Sequence, residues 1–304
     1  FKRSKVLVEN IERFGAKNVV VTNTSADKLA KVFKNYFDMI VFDGPCSGEG
    51  MFRKDPDAIQ YWHKDYPSEL AQLQKDILAD GLKMLAPGGQ LVYSTCTWSP
   101  EENEGVVAWI LENYPDLELV AIPKLNGMSD GIDFPETTRM YPHHFKGEGQ
   151  FVAKFQDKRM PEQSCIKEGK TNLNKEQKQL WDDFVKKHLK LPLDGLLQVF
   201  GDNLYLLPRG LPDLSKVKIA RNGLHLGIFK KKRFEPSFAL GIALTSDEVV
   251  SSIELTQEQF AQYASGNVVT LDQTLENGWY QLLVDGNGFG FAKVIGNTLK
   301  NYYP

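Results

Sequence analysis

The sequence predicts an α/β domain built on a parallel sheet, followed by a small α+β domain and a small β-barrel. Three observations predict it. Two short apolar runs, Met39-Ile40-Val41-Phe42 and Gln90-Leu91-Val92-Tyr93, are bounded by turn signals, as strands covered on both faces are. Between them Leu70, Leu73, Ile77, Leu78, Leu82 and Leu85 fall on one face of a long helical pattern. Past Pro236, short β-like runs alternate with turns. Strand, crossover helix and strand make parallel neighbours whose C-terminal ends share an edge. Open α/β sheets bind ligands at that edge. Asp43-Gly44-Pro45-Cys46-Ser47-Gly48 follows the first strand and Ser94-Thr95-Cys96-Thr97 ends the second, so Cys46 and Cys96 are expected over one pocket.

The bulk numbers set limits. The chain has 304 residues, enough for two or three domains. At 42% hydrophobic and 25% charged it is ordinary globular material. No apolar run nears a membrane span, and no signal peptide is visible, so a cytoplasmic location without a membrane partner is expected. A net charge of -3 excludes a uniformly basic nucleic-acid binder, and local patches must carry any such role. Three cysteines, Cys46, Cys96 and Cys165, argue against a disulfide framework. With no Cys-x-x-Cys or clustered Cys/His spacing, no metal is expected. The plain alternative for Cys46 and Cys96 is a pair of small core hydrophobes; their loop positions after strands oppose it. Cys165 lies in a polar stretch and reads as incidental.

In chain order, Val6, Leu7, Ile11 and Phe14 pattern a helix over 4–14 with Gly15 as its stop. Asn18 to Thr22 is a strand, Lys28 to Phe33 a short helix, and Met39 to Phe42 the next strand. The loop from Ser47 to Asp65 carries Glu49, Arg53, Lys54, Trp62 and His63, and such length is usually functional. Its glycines make no phosphate loop, since no Gly-Lys-Ser/Thr follows. Pro87-Gly88-Gly89 turns the chain into the second strand. Ser99-Pro100-Glu101-Glu102 reads as a helix start, with Ser99 as cap and Glu102 closing a capping box. Leu117 to Ile122 is a strand, a polar loop holds Arg139, Pro142, His143 and His144, and Phe151 to Phe155 is the last strand of this domain. Residues 156–175 are polar and read as a linker. Lys175 to His188 is a helix with Leu180, Trp181, Phe184 and Val185 inward, followed by strand-like Leu204–Leu207 and Leu224–Phe229. Asp285-Gly286-Asn287-Gly288 is a hairpin signal between two β-like runs.

Two cysteines at one sheet edge suit a particular chemistry. A thiolate adds to electrophilic carbon 6 of a cytosine. Carbon 5 then becomes nucleophilic and accepts a methyl group. A base removes the carbon 5 proton, and the thiol leaves. Asp43, at a strand end, is placed to hold N3 and the exocyclic amine.

These residues resemble the signature of the RNA 5-methylcytosine methyltransferases. Asp43-Gly44-Pro45-Cys46-Ser47-Gly48-Glu49-Gly50 is similar to their motif IV. Ser94-Thr95-Cys96-Thr97, with Glu102-Asn103-Glu104, is similar to motif VI. The likeness extends to the bacterial ribosomal RNA methyltransferase F group and covers nearly the whole chain. It implies the C-terminal part of a class I (Rossmann-like) methyltransferase domain over 1–157, the group's first C-terminal domain over 170–232, and a PUA-like RNA-binding domain over 233–304. It implies S-adenosyl-L-methionine as cofactor and small-subunit ribosomal RNA as partner. By that resemblance Cys96 is the nucleophile, Cys46 serves product release, and Asp43 lies between cofactor and base. Pro45 and Ser25 fall at further cofactor positions, though Ser25 stands where the family has an acid. The Gly-rich cofactor loop and the ribose-binding acid of the family are not in this sequence. The sheet is therefore expected to lack its first strands, the chain to be a segment of a longer polypeptide, and the segment alone to be inactive.

Arg53, Lys54 and Arg139 are candidate phosphate contacts, with a solvated charge as the plain alternative. The run from Lys216 to Arg233 holds seven basic residues and no acid, and Lys230, Lys231 and Lys232 are its candidate RNA contacts. Trp62, Trp98 and Tyr141 are candidates to stack bases, or else rim and core aromatics. His143 and His144 read as loop packing. The rival reading of the chain is a non-catalytic RNA-binding factor that keeps the fold without turnover.

Overall fold

The computed structural model describes residues 2–161 and 168–303. Its elements begin α1 (Lys2–Arg13), β1 (Val21–Thr22), α2 (Ala26–Ala30), β2 (Phe37–Asp43), α3 (Tyr66–Gly81), β3 (Leu85–Thr95), α4 (Glu104–Asn113) and β4 (Leu117–Val120). They continue with β5 (Ser129–Asp130), β6 (Thr138–Met140), β7 (Gln150–Asp157), α5 (Lys175–His188), β8 (Leu196–Phe200), β9 (Asn203–Leu207), β10 (Ile219–Arg221) and β11 (Leu224–Lys230). The last are β12 (Arg233–Pro236), α6 (Phe238–Ala243), β13 (Ser252–Glu254), α7 (Gln257–Ala264), β14 (Val269–Thr270), β15 (Gly278–Val284), β16 (Asn287–Ile295) and β17 (Thr298–Lys300). Two compact units result: Ser25–Cys165, and Phe1–Thr24 together with Ile166–Pro304. Cys165 lies outside the described residues.

The unit Ser25–Cys165 holds a six-stranded sheet in the order β2-β3-β7-β6-β5, with β4 also on β7. The expected parallel pair is present: β2 and β3 run side by side from Met39↔Gln90 to Asp43↔Ser94. β3 lies between β2 and β7, so Leu91, Tyr93, Phe151 and Phe155 are fully buried, packed with Leu78 and Ile110. The inward stripe of α3 is Ala71, Gln74, Leu78 and, just past its end, Leu82. Leu73 is exposed, contrary to expectation. One residue is about 100° of helix, and a stripe centred on Gln74 and Leu78 carries Leu73 out of the core. A polar side chain at the stripe's centre needs internal partners, and Gln74 has them.

Three other local readings change. Thr138–Met140 is strand β6 rather than loop, paired to β7 at Arg139↔Phe151. Two short 3-10 turns, Glu49–Met51 and Pro56–Tyr61, structure the stretch after Ser47. Ser99 does not cap a helix: its hydroxyl donates to Glu101 Oε2 (2.7 Å), α4 starts only at Glu104, and Glu102 turns inward.

In the second unit, β1 pairs antiparallel with β10 rather than with the sheet of β2. Buried Arg221 of β10 explains it, donating to the carbonyls of Val19 (2.8 Å) and Ala16 (2.9 Å). β2 is accordingly an edge strand, with Met39 and Val41 exposed. Helix α5 forms as expected, capped by a reciprocal Asn174–Gln177 box, with Trp181 and Phe184 buried against Phe234. The sheet beneath is β12-β11-β9-β8. Its strand β12 lies beyond the domain boundary expected at 232/233. The last sheet, in the region expected as a small PUA-like β-barrel, runs β13-β15-β16-β17-β14. Asp285 and Gly286, both at positive φ (49° and 75°), make the β15–β16 turn, as an Asp-Gly hairpin requires. Among the described residues, no helix is long and apolar enough to cross a membrane.

Candidate active site

The parallel register ends β2 and β3 together at Asp43↔Ser94. Cys46 and Cys96 therefore leave the sheet over the same edge, and their sulfurs lie 3.2 Å apart, both half-buried. At that separation one thiol hydrogen-bonds the other sulfur, and the two titrate as a pair. Accepting that bond holds the Cys96 thiol below its ordinary value. Donating it, together with burial, pushes the Cys46 thiol far up. Of the two thiols, Cys96 is therefore the one that gives up its proton first. Asp43 stands exposed at the end of β2, and its charge acts on Cys96 in the opposite sense.

A buried polar network ties the two cysteine loops together. Ser47 Oγ and Thr97 Oγ1 are 2.8 Å apart, and Thr97 Oγ1 donates to Glu49 Oε2 (3.2 Å). The Gly50 amide donates to the Cys96 carbonyl (2.9 Å), and Gly149 donates to the Gly50 carbonyl (3.2 Å). A Cβ on Gly50 would fall 2.6 Å from the Gly149 oxygen and 2.7 Å from the Cys96 oxygen, so only glycine fits that approach. Glu102, fully buried, accepts from the Ser47 amide (2.9 Å) and Gln74 (2.8 Å). Thr95 donates to Asn103 Oδ1 (2.6 Å), and Asn103 in turn donates to the Thr97 carbonyl (3.1 Å).

Of the residues singled out in the sequence, the structure brings Asp43, Pro45, Cys46 and Cys96 to one edge. Ser25, beside α2, donates its hydroxyl to Asp27 Oδ1 (2.5 Å). The Pro45 carbonyl accepts from Gln74 (2.8 Å). Arg53 is exposed and donates to the Gly147 carbonyl (2.7 Å), and Lys54 is exposed. Arg139 corrects the sequence reading. Its side chain is 3% exposed and forks onto Glu104 at 2.8 and 2.5 Å, with a third bond to the Trp98 carbonyl (2.9 Å), so it is not available to phosphate. Trp98 packs on Gly149, where a Cβ would strike its ring, and so is no open stacking platform. Trp62 is partly exposed, donating to Glu49 Oε1 (3.0 Å). Tyr141 stacks on His143, and His144 Nδ1 lies 3.1 Å from the Gly127 carbonyl, as loop packing requires. In the other unit Lys230, Lys231 and Lys232 are exposed at the β11–β12 turn, while Arg221 of the same basic run is buried. Sequence reasoning missed Gln74, Tyr93 and Glu102 as site residues. The visible signal was Gln74, an amide in the middle of an apolar helical stripe.

Comparison with known proteins places this architecture in a class. Three family models match in succession: 16S rRNA methyltransferase RsmB/F over residues 1–156, the RsmF rRNA methyltransferase first C-terminal domain over 183–244, and the methyltransferase RsmF PUA domain over 250–304. That is a methyltransferase domain with its own C-terminal and PUA domains. The first model covers just over half of the chain, and the chain belongs to the RsmB/F family of 16S rRNA methyltransferases. It is 32% identical over 316 residues to ribosomal RNA small subunit methyltransferase F of Shewanella loihica, and 33% identical over 320 residues to that of Escherichia fergusonii. Each alignment takes in 99% of this chain but 64% and 65% of the relative, so the chain spans somewhat under two thirds of their length. A solved structure of NSun6 from Pyrococcus horikoshii with SFG is 31% identical, covering 52% of this chain and 40% of that one, with a TM-score of 0.45.

Proposed function

We propose that the chain carries the base-attacking part of an S-adenosylmethionine-dependent enzyme that methylates carbon 5 of a cytosine in small-subunit ribosomal RNA. The observation that carries this reading is the pair of sulfurs 3.2 Å apart at the ends of adjacent parallel strands. A flipped cytosine set over that edge meets both thiols at once. Cys96, the thiol of the pair that gives up its proton first, adds to carbon 6 as its thiolate. This pushes electron density to carbon 5, the position to be methylated. Cys46, the protonated member, is left beside the adduct and takes part in the proton movements by which the carbon 5 proton is lost and the carbon 6–sulfur bond breaks. Asp43 holds N3 and the exocyclic amine at the mouth of the site.

S-adenosylmethionine supplies the methyl group in this proposal. Among the described residues its donor set is too small to enclose it: Asp43 is one exposed carboxylate, the Ser25 hydroxyl is spent on Asp27, and the Pro45 carbonyl on Gln74. RNA contacts are proposed for Arg53 and Lys54 in one unit and for Lys230, Lys231 and Lys232 in the other, all exposed.

The test is genetic and covalent. Cells lacking the gene should lose 5-methylcytosine at one or more positions of small-subunit RNA. When the native gene is restored as Cys46→Ala, RNA–protein adducts that survive a denaturing gel should accumulate. Restored as Cys96→Ala, it should give none. Adducts with Cys96→Ala alone would reverse the two roles, and unchanged RNA in the deletion strain would remove the activity.

A further inference from the structure

Glu102 has no role in the thiol chemistry just described, yet it is fully buried beneath it. Its Oε2 accepts the Ser47 amide (2.9 Å) and the Gln74 side-chain amide (2.8 Å). The same Gln74 nitrogen reaches the Pro45 carbonyl (2.8 Å). Tyr93 completes the set, its hydroxyl 2.8 Å from Gln74 Oε1 and 2.5 Å from the Glu102 carbonyl. The backbone groups on either side of Cys46, the carbonyl before it and the amide after it, thus end on one carboxyl–amide pair. The other carboxyl oxygen, Oε1, is buried with no hydrogen-bond partner among the described residues. A helix cap or a surface charge would not sit at such depth with a bare oxygen.

We infer that Glu102 is a positioning residue that grips the peptide on both sides of Cys46, through Ser47 directly and through Gln74 to Pro45, and so holds the Cys46 sulfur against Cys96. Its bearing on RNA methylation rests on the function proposed above; the grip itself does not. Burial raises the Glu102 carboxyl pKa, and the nearby Glu49 charge adds to the shift. Glu49, Tyr93 and Cys96 are the titratable groups that interact with it, and each opposes a second negative charge. The carboxyl supplies the acceptor oxygen that the Ser47 and Gln74 donors need. Glutamine offers the same oxygen in nearly the same shape, whereas methionine offers none.

The two thiols report on the grip without RNA or cofactor. The chain is treated with iodoacetamide over the neutral to alkaline range, and the Cys46 and Cys96 peptides are quantified separately by mass spectrometry. In the wild type Cys96 should react the faster at neutral pH. Glu102→Gln should keep the ratio of the two rates within about twofold. Glu102→Met should slow Cys96 about fivefold or more at neutral pH, because Cys46 no longer holds its thiolate, and the difference should vanish at alkaline pH. Gln74→Met should move the ratio the same way, and it carries the test should the Glu102→Met chain not fold. Ile110→Ala, a deletion in the same core without a bond to the loop, should lose stability and leave the ratio alone. A wild-type ratio in whichever methionine variant folds, or an equal shift in Ile110→Ala, overturns the inference. Unchanged RNA methylation in the deletion strain beside a shifted thiol ratio in the methionine variants would count against the proposed function and leave the grip standing.

Discussion

Replacing Arg139 by methionine should unfold one unit of this protein more readily without touching RNA. Arg139 and Glu104 are 3% and 8% exposed and joined by two guanidinium–carboxylate bonds, with the third arginine bond on the Trp98 carbonyl. Removing the guanidinium leaves the Glu104 carboxyl in the interior without its arginine partner, with only the Ile132 amide (2.9 Å) still donating to it. Breaking one side of such a pair costs ~3–5 kcal/mol, while replacing both partners by apolar groups of similar volume is often neutral. Arg139→Met is therefore expected to lower the urea midpoint of the Ser25–Cys165 unit by roughly 2 M, taking an m-value of about 2 kcal/mol/M. Arg139→Met with Glu104→Met should recover most of that loss. The assay is native-state hydrogen exchange on the amides of β3 and β7 in rising urea, which reports this unit alone. A loss under ~1 kcal/mol, or a double variant no better than the single one, would refute the reasoning. So would a fall in RNA affinity with the exchange unchanged, because that is how a phosphate contact behaves.

Replacing Lys230, Lys231 and Lys232 together by glutamine should flatten the log–log salt dependence of RNA binding by roughly 2 to 3, about 0.7–0.9 for each phosphate no longer neutralised; an unchanged slope means the turn does not meet phosphate. Burial holds the His188 imidazole down to about 4 from 6.5, so it folds neutral. Its contribution to stability is complete above pH 6.5 and is lost as pH falls through about 4, by up to ~3 kcal/mol. His188→Gln should remove that part of the acid limb in unfolding curves of the second unit. Gly50→Ala forces a Cβ to within 2.7 Å of two backbone oxygens and should break the Gly50–Cys96 hydrogen bond, at a cost of ~1–3 kcal/mol. Faster exchange at the Gly50 amide would show it, and unaltered exchange would mean the loops can part at no expense.

What is legible in the sequence follows from period and punctuation. A strand, a helical stripe and a strand in succession announce a right-handed parallel pair, and parallel strands must end on one edge. That alone brings Cys46 to Cys96 across 50 residues of sequence. Helix α5 is equally plain, because Asn174 and Gln177 are a complete start signal ahead of Trp181 and Phe184. What local patterns misread are polar residues whose meaning depends on burial. Arg139 has the same composition signal as Arg53, and only the tertiary placement of Glu104 makes one a core ion pair and leaves the other on the surface. Val21–Thr22 reads as a sheet strand in isolation, but strand pairing is non-local, and Arg221, 200 residues later, decides it.

Glu102 shows the same limit at the site. Ser-Pro-Glu-Glu is a capping sequence by every local rule, and a carboxyl near the first turn is stabilised by the helix dipole. The chain forgoes that gain and starts α4 not at Pro100 but four residues later, at Glu104. The side chain released from capping reaches under the neighbouring loop to Ser47, and its neighbour Asn103 turns the other way to hold Thr95 and Thr97. Two consecutive residues, one facing each cysteine loop, thereby set the spacing between the sulfurs from below. A locally favourable helix start was given up where it competed with that geometry, and local rules cannot register a demand made by a residue 55 positions away.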